Sequence, residues 1–194
     1  MKSSVPAVIL CGGLSSRMGQ PKHLLDLGSG PVWKMMLNEL EKSFDSIYIS
    51  CREDQLHDFV NQNVIIDRFE SIGPMGGIIS VFQKIALESI FFIGCDLPFF
   101  RIDMARELIS ANHLNLFATC ASGEGSDYPE PIIAVWNKCA LGSLLEAVSN
   151  EDYSLVRLLR KHDYYSIEYP EHYLQNLNTP EDLARARSAD RSPQ

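Results

Sequence analysis

The chain has 194 residues, 45% of them hydrophobic and 22% charged, with a formal net charge of −8. That is enough apolar matter for one packed domain and far too much for a disordered chain. The acidic balance weighs against a general nucleic-acid binder, yet leaves room for local cations around a small anion; no apolar run approaches the roughly 18 residues of a membrane span.

The first strand is VPAVIL at 5–10, an apolar run that breaks into CGGLSSRMGQPK. Its apolar part is too short for a secretory leader. A helix-compatible segment at 31–43 follows, then a strand SIYIS at 46–50, a second helical segment at 53–61 and a strand NVIID at 63–67. GPMGGI opens a helical segment at 76–88, and SIFFIG at 89–94 is the fourth strand. Beyond it come a helix at 101–112, strands LNLFATC at 114–120 and PIIAVW at 131–136, and helical segments at 137–148 and 153–161. Between the last two strands, 121–131 is rich in Gly, Ser and Pro and is expected to be a mobile loop bordering a pocket. Tyr164–Tyr169 adds a last short strand. Thr179–Pro180–Glu181–Asp182 then opens a final helix, with Thr as N-cap, Pro at N1 and acids in the first turn. The tail RSADRSPQ is polar and expected to fray. Nearly continuous apolar strands alternating with helices define an α/β chain whose mostly parallel sheet is covered on both faces.

Ligands of such sheets bind beyond the carboxyl ends of the strands. After the first strand, Gly12 and Gly13 let a backbone approach closely and present amides, Ser15 and Ser16 supply hydroxyls, and Arg17 and Lys22 supply positive charge. The spacing fits neither GxxxxGK[ST] nor GxGxxG. The stretch is a phosphate site or an ordinary strand-to-helix turn with exposed cations. After the third strand comes Asp67, suited to a ribose hydroxyl or base edge, or to capping its own turn. After the fourth comes Asp96 in GCDLP. A carboxylate at a buried strand's end needs a partner; a hard oxygen ligand for Mg²⁺ shared with phosphates is one reading, and an Asx turn before Pro98 the other. Glycines in 73-GPMGGI-78 admit a flat ring or a neighbouring backbone. The five cysteines, Cys11, Cys51, Cys95, Cys120 and Cys139, form no CxxC pair or zinc-spaced cluster. The reducing cytoplasm is the expected compartment, and packing the expected role of those at strand ends.

Taken together, LCGGLSSRMGQPK followed by LLDL and GPVW, then GPMGG, GCDLPF, PEPIIAVW and NLNTPEDL, resembles the molybdenum cofactor guanylyltransferases, the MobA-like group, over roughly residues 5–186. The resemblance implies a three-layer, Rossmann-like nucleotidyltransferase domain over 1–188. Its nucleotide half would span about 1–100 and its acceptor half about 101–188, with 189–194 a polar tail. It implies transfer of GMP from GTP to molybdenum–molybdopterin, releasing pyrophosphate. Leu10, Cys11, Gly12 and Gly13 would line the nucleotide, Lys22 would contact phosphate, Asp67 the nucleotide and Asp96 the Mg²⁺. Asn176 and Asn178 match late asparagines associated with the active site and the pterin side. Ser50 stands where the family often has asparagine, Cys11 where it usually has alanine, and GQPK where many members carry Asp before the Lys.

On this reading Arg17, Lys22 and Asp96 are the catalytic residues. The attacking phosphate monoester is already ionised at neutral pH, so no general base is needed. Cations and Mg²⁺ would offset the meeting of two anions. Partners would be GTP, molybdenum–molybdopterin and proteins of the cofactor pathway or acceptor apoenzymes, with no nucleic acid and no membrane. Alternatives are transfer from CTP, a sugar-phosphate acceptor, or a non-enzymatic nucleotide binder of the same fold.

Overall fold

The computed structural model describes residues 2–13, 21–69 and 71–190. Among these residues seven strands form one sheet: β1 (Ala7–Leu10), β2 (Ile47–Cys51), β3 (Val64–Ile66), β4 (Ser89–Gly94), β5 (Ala118–Gly123), β6 (Pro129–Asn137) and β7 (Tyr164–Tyr169). Their order across the sheet is β3-β2-β1-β4-β6-β5-β7. All pairings are parallel except those of β6, which runs antiparallel to both β4 and β5. The helices are α1 (Val32–Leu40), α2 (Pro74–Lys84), α3 (Ile102–Ala111), α4 (Leu141–Ser149), α5 (Leu155–Leu159) and α6 (Pro180–Asp190).

The strands are apolar throughout because alternate residues enter two different cores. Ala7 and Ile9 of β1, with Phe91 and Ile93 of β4, pack beneath α1 and α3 through Trp33, Met36 and Leu108. Val8 of β1, with Ile90 and Phe92 of β4, packs on the other face against Ile78 and Phe82 of α2, Leu144 of α4 and Leu158 of α5. These are the three layers expected of the α/β pattern. A smaller cluster fastens α6 to the start of the chain through Leu25, Leu27, Val32, Leu177 and Leu183.

Several expected boundaries move. The segment 53–61 is a 3₁₀ helix over Glu53–Phe59. The strand expected at 114–120 begins only at Ala118 and runs to Gly123, because Asn137 Nδ2 gathers the carbonyls of His113 and Leu116 into a turn, both at 2.9 Å. The Gly/Ser/Pro-rich loop shrinks to 124–128, its ends being strand. Thr179 caps α6 as expected: its hydroxyl accepts from Asp182 N at 3.2 Å, and Asp182 Oδ2 accepts from Thr179 N at 2.9 Å. Helix α6 itself extends to Asp190, into the stretch expected to fray. Among the described residues no helix is long and apolar enough to cross a membrane.

Candidate active site

Strand β1 is flanked by β2 on one side and β4 on the other, so the order reverses there and a crevice opens beyond the carboxyl ends. The ladder runs out just past the strands, where Cys11 N donates to Ser50 O at 2.8 Å and Cys95 N to Leu10 O at 3.2 Å. The crevice, of about 180 Å³, is walled by Gly12, Gly13, Lys22, Asp67, Gly77 and Asp96, with Leu10 and Cys11 at its floor. It adjoins a larger hollow of about 910 Å³ that shares Gly12, Gly13, Asp67 and Gly73. The larger space falls within the roughly 300–1,000 Å³ usual for small-ligand sites.

Lys22 enters from a short 3₁₀ turn, Lys22–Leu24, anchored by the buried ring of His23. Its Nζ donates to Asp96 Oδ2 at 2.6 Å and to Asn178 Oδ1 at 2.6 Å. Asp96 follows β4 and its side chain is only 11% exposed, against 26% for Lys22. The Asp96 carbonyl also accepts from Leu177 N at 2.9 Å, which ties the segment before α6 to the crevice. A glycine is needed two residues earlier: a Cβ on Gly94 would lie 2.9 Å from Asp96 Oδ1.

Asp67 follows β3. Its Oδ1 accepts from Phe69 N at 2.9 Å and Ser80 Oγ at 3.2 Å. Its Oδ2 faces Gly12 and has no hydrogen-bond partner among the described residues. Burial raises the Asp67 carboxyl above the ordinary carboxylate range, although both hydrogen bonds pull it down. The glycines of GPMGG serve different ends: Gly73 takes a positive φ, Gly77 lies against the Leu10 and Ser50 side chains, and Gly76 packs on backbone. A Cβ on Gly76 would meet both Asp67 Oδ1 and the Phe69 carbonyl at 2.8 Å.

The sequence-derived candidates therefore divide. Leu10, Cys11, Gly12, Gly13, Lys22, Asp67 and Asp96 converge on one crevice. Asn178 joins it through Lys22, whereas Asn176 borders a separate small hollow beside Pro98 and Phe99. Ser50 is buried in the wall. Arg17, with Ser15 and Ser16, lies outside the described residues. Sequence reasoning missed Arg52 and Gln55. Arg52 Nη1 donates to the carbonyls of Gly12 at 3.1 Å and Gly13 at 3.4 Å. Gln55 Nε2 donates to the carbonyl of Cys11 at 3.3 Å. Applying the strand-end rule to β2, which Arg52 directly follows, would have found the first of them.

Among the described residues no cluster of three or more His, Cys, Asp or Glu stands ready to cage a metal. The crevice offers two separate carboxylates, Asp67 and Asp96, the second already in contact with a cation. That donor set suits Mg²⁺, which binds through one or two carboxylates and takes its other ligands from phosphate and water, and does not suit zinc.

A switch-point crevice with a glycine turn, a lysine and a strand-end aspartate belongs to the nucleotidyltransferases, enzymes that move a nucleotidyl group. The chain belongs to the MobA-like NTP transferase domain family, which matches residues 7–165. It is 28% identical over 200 residues to the molybdenum cofactor guanylyltransferase of Rhizobium johnstonii, covering 95% of this chain and 92% of that one. It is 29% identical over 181 residues to the molybdenum cofactor biosynthesis bifunctional protein of a Synechocystis species; that match takes in 92% of this chain but 52%, about half, of the bifunctional protein. The fold is that of molybdopterin-guanine dinucleotide biosynthesis protein A from Archaeoglobus fulgidus, with a TM-score of 0.82 at 20% identity, over 96% of this chain and 98% of that one.

Proposed function

We propose that this nucleotidyltransferase transfers GMP from GTP to the terminal phosphate of molybdenum–molybdopterin, giving the guanine dinucleotide cofactor and pyrophosphate. The observation that carries this reading is the convergence of Lys22 and Asp96, 2.6 Å apart, beside the glycine turn after β1. The relatives' names supply the base and the acceptor.

The amides of Gly12 and Gly13 and the Lys22 ammonium bind the triphosphate and stabilise charge gathering on the departing pyrophosphate. Arg17 adds its fork to the same task. Asp67 Oδ2 accepts a hydroxyl or amine of the nucleoside. Asp96 would hold Mg²⁺, which when bound neutralises phosphate charge and polarises the reacting phosphorus. Lys22 meanwhile shifts from the carboxylate toward phosphate, and the Asn178 carbonyl oxygen remains to orient it. The acceptor phosphate has a second pKa of about 6, so it attacks without a general base. Holding it in line accounts for the rest; such positioning is worth up to about 7–11 kcal/mol.

The division of labour follows the chain: residues to about 100 bind the nucleotide, and 101–188 face the acceptor, with Asn178 at the crevice through Lys22 and Asn176 at the separate hollow beside Pro98. The free thiols suit a cytoplasmic enzyme that passes its product to cofactor-pathway proteins or acceptor apoenzymes. Calorimetry with GTP, CTP, ATP and UTP in Mg²⁺ tests the base. GTP should bind well and CTP poorly; equal affinity for all four would contradict the guanylyl assignment.

A further inference from the structure

Gln55 is buried on the 3₁₀ helix after β2, and every polar atom of its amide is committed. Its Oε1 accepts from Arg52 N at 2.9 Å, which fixes the orientation of the amide. Its Nε2 points to the Cys11 carbonyl at 3.3 Å and to His23 Nδ1 at 3.4 Å. His23 Nε2 in turn lies 3.0 Å from Asp58 Oδ2. With Asp58 as acceptor at Nε2, the proton sits on that nitrogen and Nδ1 is left to accept from Gln55. The amide therefore joins the start of its own 3₁₀ helix to two segments 44 and 32 positions away: the glycine turn and the turn that carries Lys22.

The consequence follows from peptide geometry. In a planar trans peptide the C=O and the next N–H point in opposite directions. Gln55 holds the Cys11 carbonyl, and Arg52 holds that of Gly12 at 3.1 Å. The N–H groups of Gly12 and Gly13 are thereby turned away from these two side chains. Neither amide has a hydrogen-bond partner among the described residues. Gln55 and Arg52 follow β2, on one side of β1, while Asp96 follows β4 on the other.

We propose that Gln55, locked by His23, is a positioning residue that fixes the Cys11–Gly12 peptide plane, beside Arg52, which holds the Gly12–Gly13 plane, so that the Gly12 amide faces the phosphates of the nucleotide. At 3% exposure Gln55 has no surface with which to touch a ligand, so it acts through the turn. The inference rests on the nucleotide-binding reading of the crevice and adds the device that presets it. Without that device the two glycines would sample many orientations, and ordering them would be charged against binding.

The test compares the affinities of GTP and GMP in Mg²⁺ for the wild type and for Gln55→Met, which keeps the volume and removes both the donor to the Cys11 carbonyl and the acceptor of Arg52 N. GTP should weaken about five- to tenfold, the worth of a lost hydrogen bond, while GMP changes less than about twofold because it lacks the β- and γ-phosphates. Gln55→Glu keeps an acceptor for Arg52 N and carries the same comparison if Gln55→Met does not fold. Equal weakening of GTP and GMP, or no change in either, would overturn the positioning role. Failure of the wild type to bind GTP would overturn the underlying reading, and this inference with it.

Discussion

Lys22 Nζ and Asp96 Oδ2 lie 2.6 Å apart although 74 positions separate them in the chain. The contact joins the turn after β1 to the end of β4, across the point where strand order reverses. The pair is mostly shielded, so each charge depends on the other, and each is also the group assigned to phosphate or metal. Removing Lys22 leaves a shielded carboxylate short of a donor. Lys22→Met should therefore lose about 1–3 kcal/mol of stability, and Lys22→Met/Asp96→Asn should regain most of it in urea denaturation. Turnover should fall at least ~10²-fold in Lys22→Met, in Asp96→Asn and in the double variant. A double variant no more stable than Lys22→Met would show that the unpaired Asp96 carboxylate is not what destabilises Lys22→Met.

Asp67 should trade stability for function. Burial raises its carboxyl in the folded chain, so the charged form is the disfavoured one. Any stability tied to this group is fully present below its unfolded pKa and lost as pH rises through the higher folded value. Asp67→Asn keeps an acceptor for Phe69 N and Ser80 Oγ and removes the charge, so it should melt at a higher temperature than wild type at pH 7 and gain nothing at pH 3. It should also bind GTP more weakly, since an amide presented by its NH₂ cannot accept a hydroxyl. For wild type, activity should fall with acid at a higher pH than an ordinary aspartate would dictate.

Two glycines should respond differently to alanine. At Gly76 the added methyl meets Asp67 Oδ1 and the Phe69 backbone at 2.8 Å, so Gly76→Ala should cost about 1–3 kcal/mol of stability. At Gly94 it meets the Asp96 carboxylate at 2.9 Å and Ile132 Cδ1 at 3.1 Å, both of them side chains. Gly94→Ala should lose less stability and more turnover. Chemical denaturation and initial rates on the two variants check the contrast.

The strand-end thiols should be inert. Burial pushes Cys11 well up, and the neighbouring Cys95 thiol adds to the effect through a hydrogen bond. Burial likewise raises Cys51 to about 11. Such groups support the fold fully below the unfolded thiol value and lose that contribution as pH rises through the folded one. Iodoacetamide at pH 7.5 should modify the exposed Cys139 first, slowly because partial burial raises its thiol, and the four buried cysteines only on unfolding, as peptide mass mapping would show.

The strands were legible because both faces of the sheet are covered, so VPAVIL and SIFFIG read as unbroken apolar runs. The strand-end rule then gathered Gly12, Asp67 and Asp96 before any contact was known. What escaped depends on partners distant in sequence. The start of β5 is set by Asn137, which holds carbonyls 21 and 24 positions upstream of it. The antiparallel course of β6 was hidden in the 121–131 loop, whose ends are strand and whose remaining connection is too short for a crossover. Gln55 gave no signal at all, since a glutamine in a helical segment is ordinarily a solvated surface residue.

The most direct measurement is mass analysis of the product after incubation with GTP, Mg²⁺ and molybdenum–molybdopterin. The account predicts molybdopterin guanine dinucleotide and one pyrophosphate per product formed, with both lost in Asp96→Asn. Recovery of unmodified molybdopterin from a wild type that binds GTP, or a product carrying another nucleotide, would contradict it.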